Sequence, residues 1–581
     1  MKFFKNALTP PICAISVVFA AVLRVNAAVV CYDSHATGAN DGTSWADAFT
    51  DLQAAVTAAG DGGEVHVRQG VHYPVASAAT SITIGNVKLI GGYTGSGDER
   101  STNRRLTVFT GDFNKDDRYV DQNNVEVGKI YDPDTDALIE FRDWTESEKY
   151  WKIDTGKRSD NVAQLFKASS GAQHLEGLTF IGFGSNSSRG AIYTGVAGSA
   201  LTLTNCDFVA SCCAGANGPA NIELYASAKV LDCGFYGALG CNFHVNTEGT
   251  TVEVKGCSFK YLYGCTSNLR ALVFAMTKGT VCTIGDSDFE WMYFGTGGAA
   301  NWGAVLSING TGMYSQIEGC NFRHIRTDTW TTSAKAVVFA SLIRTDGNGS
   351  YPVKNCEFSD CYMEIGAAGA MFSGVFQNCL FLRNTMISGA ETATTAVSLT
   401  SGTAANCTFE DNFVDGVTSA GAKLTGGSWS STLACHATGN VVTNSLTGNA
   451  YLFGSVGALV DANVEGNIVA APQGDEVAIL YGKTGSSRTW RVSVVGNTTI
   501  GGSLLAAIVH GSGDWINSTF ANNRTIGHGV DAKAATFYHT GNLFLVHCVV
   551  LNNEAPYEAY GYTTSAKSRL LLFNSILWRA D

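Results

Sequence analysis

Asn378-Cys379-Leu380-Phe381 and Asn406-Cys407-Thr408-Phe409 are two copies of one short pattern: Asn, Asp or Gly, then Cys, any residue, then Phe. The same pattern stands at Asn205-Cys206-Asp207-Phe208, Asp232-Cys233-Gly234-Phe235, Gly256-Cys257-Ser258-Phe259, Gly319-Cys320-Asn321-Phe322 and Asn355-Cys356-Glu357-Phe358. Looser copies begin at Asp286, Asn497, Asn517, His547 and Asn574, and Cys435 and Asn467 count as weak members. The middle position thus travels from Cys206 to Ser575 in 13 steps of about 28 residues, the shortest 20 and the longest 36.

Between copies runs a second apolar stretch, as in Gly190-Ala191-Ile192-Tyr193, Gly303-Ala304-Val305-Leu306, Ala336-Val337-Val338-Phe339, Gly369-Ala370-Met371-Phe372, Val477-Ala478-Ile479-Leu480 and Ala506-Ala507-Ile508-Val509. Two or three short strands per unit, with no helical period, describe one rung of a parallel β-helix whose successive rungs pair along the axis. Cys and Phe two residues apart share one strand face, so both point inward and stack on their equivalents. Asn beside a turn suits bent backbone and can hydrogen-bond to its equivalents along the stack. The sequence predicts an all-β, right-handed parallel β-helix of about 28 residues per rung.

Composition agrees. Of 581 residues, 45% are hydrophobic and 15% charged, with 66 Gly and 8 Pro, which excludes a disordered or collagen-like chain. The net charge of −12, with no basic block, excludes nucleic acid as a partner.

The chain resembles the bacterial right-handed parallel β-helix repeat proteins of the pectate-lyase-like superfamily. Phe381-Leu382-Arg383-Asn384, Phe409-Glu410-Asp411-Asn412 and Phe520-Ala521-Asn522-Asn523 match the F-x-x-N half of the repeat of polymorphic outer-membrane proteins, and Arg189-Gly190-Ala191-Ile192 approximates its companion. The resemblance covers about residues 165–581 and implies a fold and a surface location rather than a chemistry. Those proteins end in a membrane β-barrel, and none is expected here. The sequence stops at Trp578-Arg579-Ala580-Asp581, so no C-terminal cap and open strand edges are expected.

Four regions are expected. Residues 1–27 read as a secretory signal peptide: Lys2 and Lys5, an apolar run to Leu23, and Val25-Asn26-Ala27 at the cleavage position. Its short apolar core with Pro10 and Pro11 argues against a membrane anchor, and Val30 before Cys31 argues against lipidation. The mature protein is therefore expected outside the cell or on its surface, with no membrane span. Residues 28–110 form an N-terminal cap and first rungs. Trp45, Phe49, Leu52 and Val56 have the spacing of a capping helix, and Glu64-Val65-His66-Val67 alternates like a first strand leading to Gly70-Val71-His72-Tyr73. Residues 111–160 form an acidic insertion, and 161–581 the repeats.

The insertion holds 14 acidic and 8 basic residues. Within it Asp112, Asn114 and Asp116, then Asp132, Asp134 and Asp136, place oxygens at every second residue, a spacing suited to Ca²⁺. The Gly and distal Glu of an EF-hand loop are missing, and a solvated acidic loop is the plainer reading. Of 17 Cys, eight (206, 233, 257, 320, 356, 379, 407, 548) sit in ladder positions and are expected as buried thiols, because parallel rungs suit disulfides poorly. Cys213, Cys241 and Cys265 form a second lane where a bridge fits better. No C-x-x-C exists, so zinc lacks its usual signature.

For catalysis, β-helix hydrolases need paired carboxylic acids, and this chain offers only Gly527-His528-Gly529 and an Asp116-Asp117 pair inside the insertion. His510, Asp514, His528, Asp531, Lys533 and His539 cluster near the end. Matching Ile508-Val509-His510-Gly511 to Phe537-Tyr538-His539-Thr540 stacks Tyr481, His510 and His539 in adjacent rungs. Outward they make a polar aromatic stripe suited to sugars; inward they are a core ladder. The leading expectation is non-catalytic binding to polysaccharide or surface components, with Trp302, Trp330 and Tyr351 as stacking platforms. The alternatives are a Ca²⁺-assisted polysaccharide lyase and a truncated or inert shell protein.

Overall fold

In each unit the Cys-x-Phe strand is pinned between two corners. The computed structural model describes residues 27–579 apart from 122, 131–150, 185–191, 214–219, 246, 265–272, 277–280, 295–304, 309–313, 328–342, 345–351, 366–369, 389–395, 417–420, 426–431, 455, 484–487, 528–532, 557–560 and 564–565. The residue before each Cys position has positive φ, for example Asn205 (51°), Asp232 (54°), Gly256 (65°), Asn378 (55°) and Asn574 (47°). Five residues later a second corner repeats the conformation, at Asp360 (56°), Arg383 (52°), Asp411 (52°) and Gly439 (67°) among others. Asn, Asp and Gly tolerate left-handed backbone most cheaply, which is why they dominate before Cys.

These corners divide each turn among three faces. Strand pairing runs from turn to turn, giving parallel sheets of 12, 16 and 25 strands, with a six-stranded sheet continuing the first from Thr432 onward. The molecule is a parallel β-solenoid of about 14 turns about 28 residues apart.

Three ladders fill the interior. Ten phenylalanines, Phe109, Phe180, Phe208, Phe235, Phe259, Phe289, Phe322, Phe358, Phe381 and Phe409, run in one column with successive centroids 4.6–5.8 Å apart. Burial contributes about 1.5–3 kcal/mol for each ring, and offset stacking about 0.5–1.5 kcal/mol per pair. The cysteines beside them are buried thiols whose Sγ atoms donate to backbone carbonyls, as Cys379 does to Val353 O at 3.3 Å.

The third ladder is asparagine. Asn384, Asn412, Asn440, Asn467, Asn497, Asn523 and Asn553 are buried, and each Nδ2 donates to the Oδ1 of the next at 2.8–3.0 Å. These are the last residues of the F-x-x-N halves, not the Asn that precedes Cys. The Asn before Cys is a corner residue: Asn378 reaches Asn355 Oδ1 at 3.2 Å from an exposed position. Two copies are reassigned accordingly. Asn467 and Asn497 belong to the amide ladder, and the Cys-x-Phe positions of those turns are Ala462-Asn463-Val464 and Val492-Ser493-Val494, which pair with one another. Steps then range from 23 to 36 residues.

At the N-terminal end the helix is shorter than its spacing predicts, Leu52–Ala59, because the Asp51 carboxylate caps it by accepting from Ala54 N. Trp45 and Phe49 lie before it: Trp45 packs on Tyr93, and Phe49 bridges to Tyr32. Glu64–Arg68 is not the first strand, since Val29–Tyr32 precedes it and pairs with it in parallel. Cys213 and Cys241, expected as bridge candidates, are buried thiols outside any disulfide, with Cys241 Sγ donating to Phe243 O at 3.0 Å. Cys265 lies outside the described residues. Among the described residues no helix is long and apolar enough to cross a membrane. Residues 1–26 are not described.

Between two turns the chain leaves the solenoid after Thr107–Thr110 and forms a small antiparallel sheet of Arg118–Val120, Glu126–Lys129 and Lys152–Ile153. Tyr119, Trp151 and Ile153 pack it against Val108, Ile181, Val209, Ala210, Leu239 and Tyr261 in a second apolar cluster separate from the main core.

Candidate functional site

A column of polar aromatic side chains crosses five turns of the 16-stranded sheet. Tyr451, Tyr481, His510, Tyr538 and Tyr562 follow one another with ring centroids 3.9, 4.6, 5.2 and 5.5 Å apart. Tyr481, His510, Tyr538 and Tyr562 are partly exposed and Tyr451 is buried, whereas Val509 and Phe537, one residue earlier than His510 and Tyr538, belong to the apolar core. That packing sets the register: Val509 pairs with Phe537 and His510 with Tyr538. A slip of one residue would expose Phe537 and bury Tyr538. His539 is therefore not in the column. It is buried, with Nδ1 hydrogen-bonded to Gly541 O at 2.8 Å.

Charged groups flank the column. Lys423 Nζ lies 5.8 Å from the Tyr451 ring centroid, and Lys533 Nζ 5.1 Å from that of Tyr562. Tyr451 Oη donates to Glu476 Oε2 at 2.7 Å. Gly454, not Tyr451, is the backbone partner of Tyr481, and the Lys423 side chain lies where a Cβ of residue 454 would stand, its Cδ 2.8 Å from that point. Burial, and then Glu476, raise the Tyr481 hydroxyl above its ordinary pKa. Burial holds His510 below the ordinary imidazole value, partly offset by Glu476. The imidazole is neutral at pH 7, and its buried Nδ1 has no hydrogen-bond partner. Because the rings stack on one another, the partly exposed Tyr481, His510, Tyr538 and Tyr562 offer outward their polar edges rather than a bare aromatic face.

The structure thus places two of the six clustered residues, His510 and Lys533, on this column. Asp514 sits around the corner in another sheet, 3.7 Å from Arg488, and His528 and Asp531 lie outside the described residues. Sequence reasoning missed Tyr451, Tyr538, Tyr562, Lys423 and Glu476. For Tyr538 the signal was a polar ring at the position matching Tyr481 and His510 in the second apolar stretch; Tyr451 sits at a different strand position, and Lys423 and Glu476 carry no such pattern. Trp302, Trp330 and Tyr351 lie outside the described residues.

A second cluster occupies the insertion. Asp112, Asp116 and Asp160 each bring a carboxylate oxygen to within 4.8 Å of the other two. Asp112 is fully buried, and its Oδ1 and the buried Oδ1 of Asp116 have no hydrogen-bond partner. Its Oδ2 accepts from Asp117 N at 3.0 Å, Asp116 Oδ2 meets Lys157 Nζ at 2.9 Å, and Asp160 Oδ2 accepts from Asn114 N at 2.7 Å. Burial first, then Asp160 and Asp116, raise the Asp112 pKa. Asp117 belongs to a different network, paired with Arg158 and accepting from Asn161 Nδ2 at 2.8 Å. Asp112 and Asp116 thus meet as the spacing anticipates, but the third carboxylate is Asp160, and the Asn114 side chain is exposed. Asp132, Asp134 and Asp136 lie outside the described residues. Orphaned buried carboxylate oxygens in an all-oxygen donor set suit a hard cation such as Ca²⁺.

No family model and no curated protein matches the chain. Among solved structures it is similar to the Streptococcus pneumoniae surface protein and adhesin PfbA, at 9% identity over 65% of this chain and 92% of that one, with a TM-score of 0.28. DFA-IIIase from Arthrobacter chlorophenolicus A6 matches at 10% identity over 71% and 94%, TM-score 0.26. The tailspike protein of Escherichia coli bacteriophage HK620, in complex with a hexasaccharide, matches at 12% identity over 81% and 73%, TM-score 0.23.

Proposed function

We propose that this is an exported β-solenoid that binds a polysaccharide along the Tyr451–Tyr562 column, outside the cell or on its surface. The observation that carries the proposal is the column itself: stacked polar rings over five turns, of which Tyr481, His510, Tyr538 and Tyr562 are partly exposed, with Glu476 and Lys533 at hand. A sugar chain presents alternating hydroxyls and apolar ring faces, and a rigid row of phenol and imidazole edges answers both. Asp112, Asp116 and Asp160 would hold Ca²⁺ and fix the insertion against the solenoid, contributing charge neutralisation at that point rather than a reaction step. The basic groups around them, Lys157, Arg158 and Arg118, are all engaged with carboxylates, which favours binding over lyase chemistry, where a free base is required.

The test is binding of the mature chain to a panel of neutral and uronate-rich polysaccharides, with and without Ca²⁺, followed by calorimetry and by ultraviolet absorbance of unsaturated sugar ends. At least one polysaccharide should bind, and Tyr481→Ala with His510→Ala should weaken it by about tenfold or more while circular dichroism shows the strand content retained. A Ca²⁺-dependent rise in absorbance would replace this reading with the lyase. Binding indifferent to both substitutions would place the ligand elsewhere.

A further inference from the structure

A second constellation of metal-ligating atoms stands at the N-terminal end of the solenoid, apart from the aromatic column and the insertion. Asp33, Ser34 and His35 follow the first strand, and His72 ends the strand Gly70–His72 of the next stretch. Asp33 and His72 are buried, whereas the His35 side chain is 67% exposed. One ligand atom each from Asp33, His35 and His72 lies within 4.8 Å of the other two.

The surrounding contacts orient these atoms as a metal would need. His72 Nε2 lies 2.8 Å from Arg68 O, a carbonyl that can only accept, so Nε2 carries the proton and Nδ1 its lone pair. Arg68 Nη1 holds Asp33 Oδ2 at 2.7 Å, which leaves Oδ1 turned toward His35. Oδ1 accepts from the His35 amide at 2.9 Å and retains a second lone pair. The remaining spacings are those of a coordination polyhedron. His35 Nδ1 is 3.4 Å from Asp33 Oδ1, and Ser34 Oγ is 3.2 Å from His35 Nδ1 and 2.9 Å from His72 Nδ1. A tetrahedron with metal–ligand distances of about 2.0–2.1 Å has edges of about 3.3 Å. In the metal-free network the Ser34 hydroxyl proton serves one imidazole only, so the second contact requires a proton on His35 Nδ1. A cation replaces both protons.

We propose that Asp33, His35 and His72 bind one divalent transition-metal ion of the zinc class, with Ser34 Oγ or a water in the fourth position. Two imidazole nitrogens with one carboxylate favour such an ion over Ca²⁺, which takes six to eight oxygens. Arg68 acts from outside as the carboxylate's anchor, and burial keeps His72 neutral and ready to ligate. The ion joins the segment after the first strand to the following turn and so locks the cap onto the solenoid.

The test uses the untagged mature chain, stripped with chelator and titrated with Zn²⁺ by calorimetry and with Co²⁺ by visible absorption. One equivalent should bind, excess Ca²⁺ should not displace it, Co²⁺ should give the intense d–d bands of a tetrahedral site, and zinc should raise the melting temperature. His35→Ala, at an exposed position, leaves the fold intact and should weaken uptake by about tenfold or more, as should His72→Ala. Asp112→Asn should leave zinc uptake unchanged. Absence of saturable zinc binding, or equal uptake by wild type and His35→Ala, overturns the proposal.

Discussion

Replacing Asn440 by Ala removes one amide from the middle of the asparagine ladder. Its Nδ2 donates to Phe409 O at 2.8 Å and to Asn467 Oδ1 at 2.9 Å, and its Oδ1 accepts from Asn412 N at 3.0 Å and Asn412 Nδ2 at 2.9 Å. Alanine reaches none of these. Asn467 Oδ1 still receives Asn440 N, and Asn412 Nδ2 still reaches Phe381 O. The group left without a partner is the Asn412 N–H, in a dry interior, whereas Phe409 O lies within the strand pairing of Thr408–Glu410 with His436–Thr438. At about 1–3 kcal/mol for the buried unsatisfied group, plus about 1 kcal/mol for the small void, the loss is about 2–4 kcal/mol. Asn378→Gly is the control, because that Asn is exposed, at a φ of 55°, and makes one contact of 3.2 Å along the stack. Glycine accepts the conformation, so its effect should stay within about 0.5 kcal/mol. A solenoid need not unfold in one step, so urea denaturation should be accompanied by hydrogen exchange, in which Asn440→Ala deprotects the 409–470 turns first. A cost below about 1 kcal/mol, or equal costs for the two variants, would refute the assignment of the ladder.

Asp112→Asn should abolish a Ca²⁺-dependent rise in melting temperature that the wild type shows by differential scanning fluorimetry. Because burial and neighbouring carboxylates raise the Asp112 pKa, protons compete with the cation, and Ca²⁺ affinity should increase with pH through that raised value, read by calorimetry at several pH values. His510 and His72 are both held below the ordinary imidazole value of 6.5 by burial. The unfolded chain therefore takes up these protons at higher pH than the fold does, and stability present above about pH 6.5 is lost as the pH falls below it. His510→Asn should remove its share of that slope in urea titrations. Gly184, at φ 93°, has Cys212 O only 1.9 Å from where a Cβ would stand, so Gly184→Ala should cost more than about 2 kcal/mol in the same assay.

Much of the architecture is legible in the Cys-x-Phe copies, because two inward side chains and a left-handed corner leave the chain few alternatives at that spacing. What pairwise matching of letters misses is register and identity within a row. Matching His510 to His539 aligns like with like, but the fold aligns Val509 with Phe537, since burying that ring outweighs any similarity of polar residues. The amide ladder hides for a related reason. Asn467 and Asn497 look like degenerate corner residues, and only the preceding left-handed Gly466 and Gly496 reveal which corner they follow. Asp160 and the Asp33–His72 constellation join residues far apart in sequence, so no local spacing announces them. The capping helix begins at Leu52 and not at Trp45 because a single carboxylate, Asp51, decides its first turn.

The interior column changes material partway along. Stacked rings run unbroken from Phe109 to Phe409, linked amides from Asn384 to Asn553, and only the turns containing Phe381–Asn384 and Phe409–Asn412 carry both. The molecule is therefore a rod spliced from two stocks, with a lap joint two turns long. Apolar burial runs through both lengths, with Val442, Val469, Val494 and Val550 in the amide portion, so the two share a core and differ in what is stacked beside it. The joint is where the two kinds of stacking overlap, so a substitution there disturbs rings and amides at once, whereas one elsewhere disturbs a single ladder.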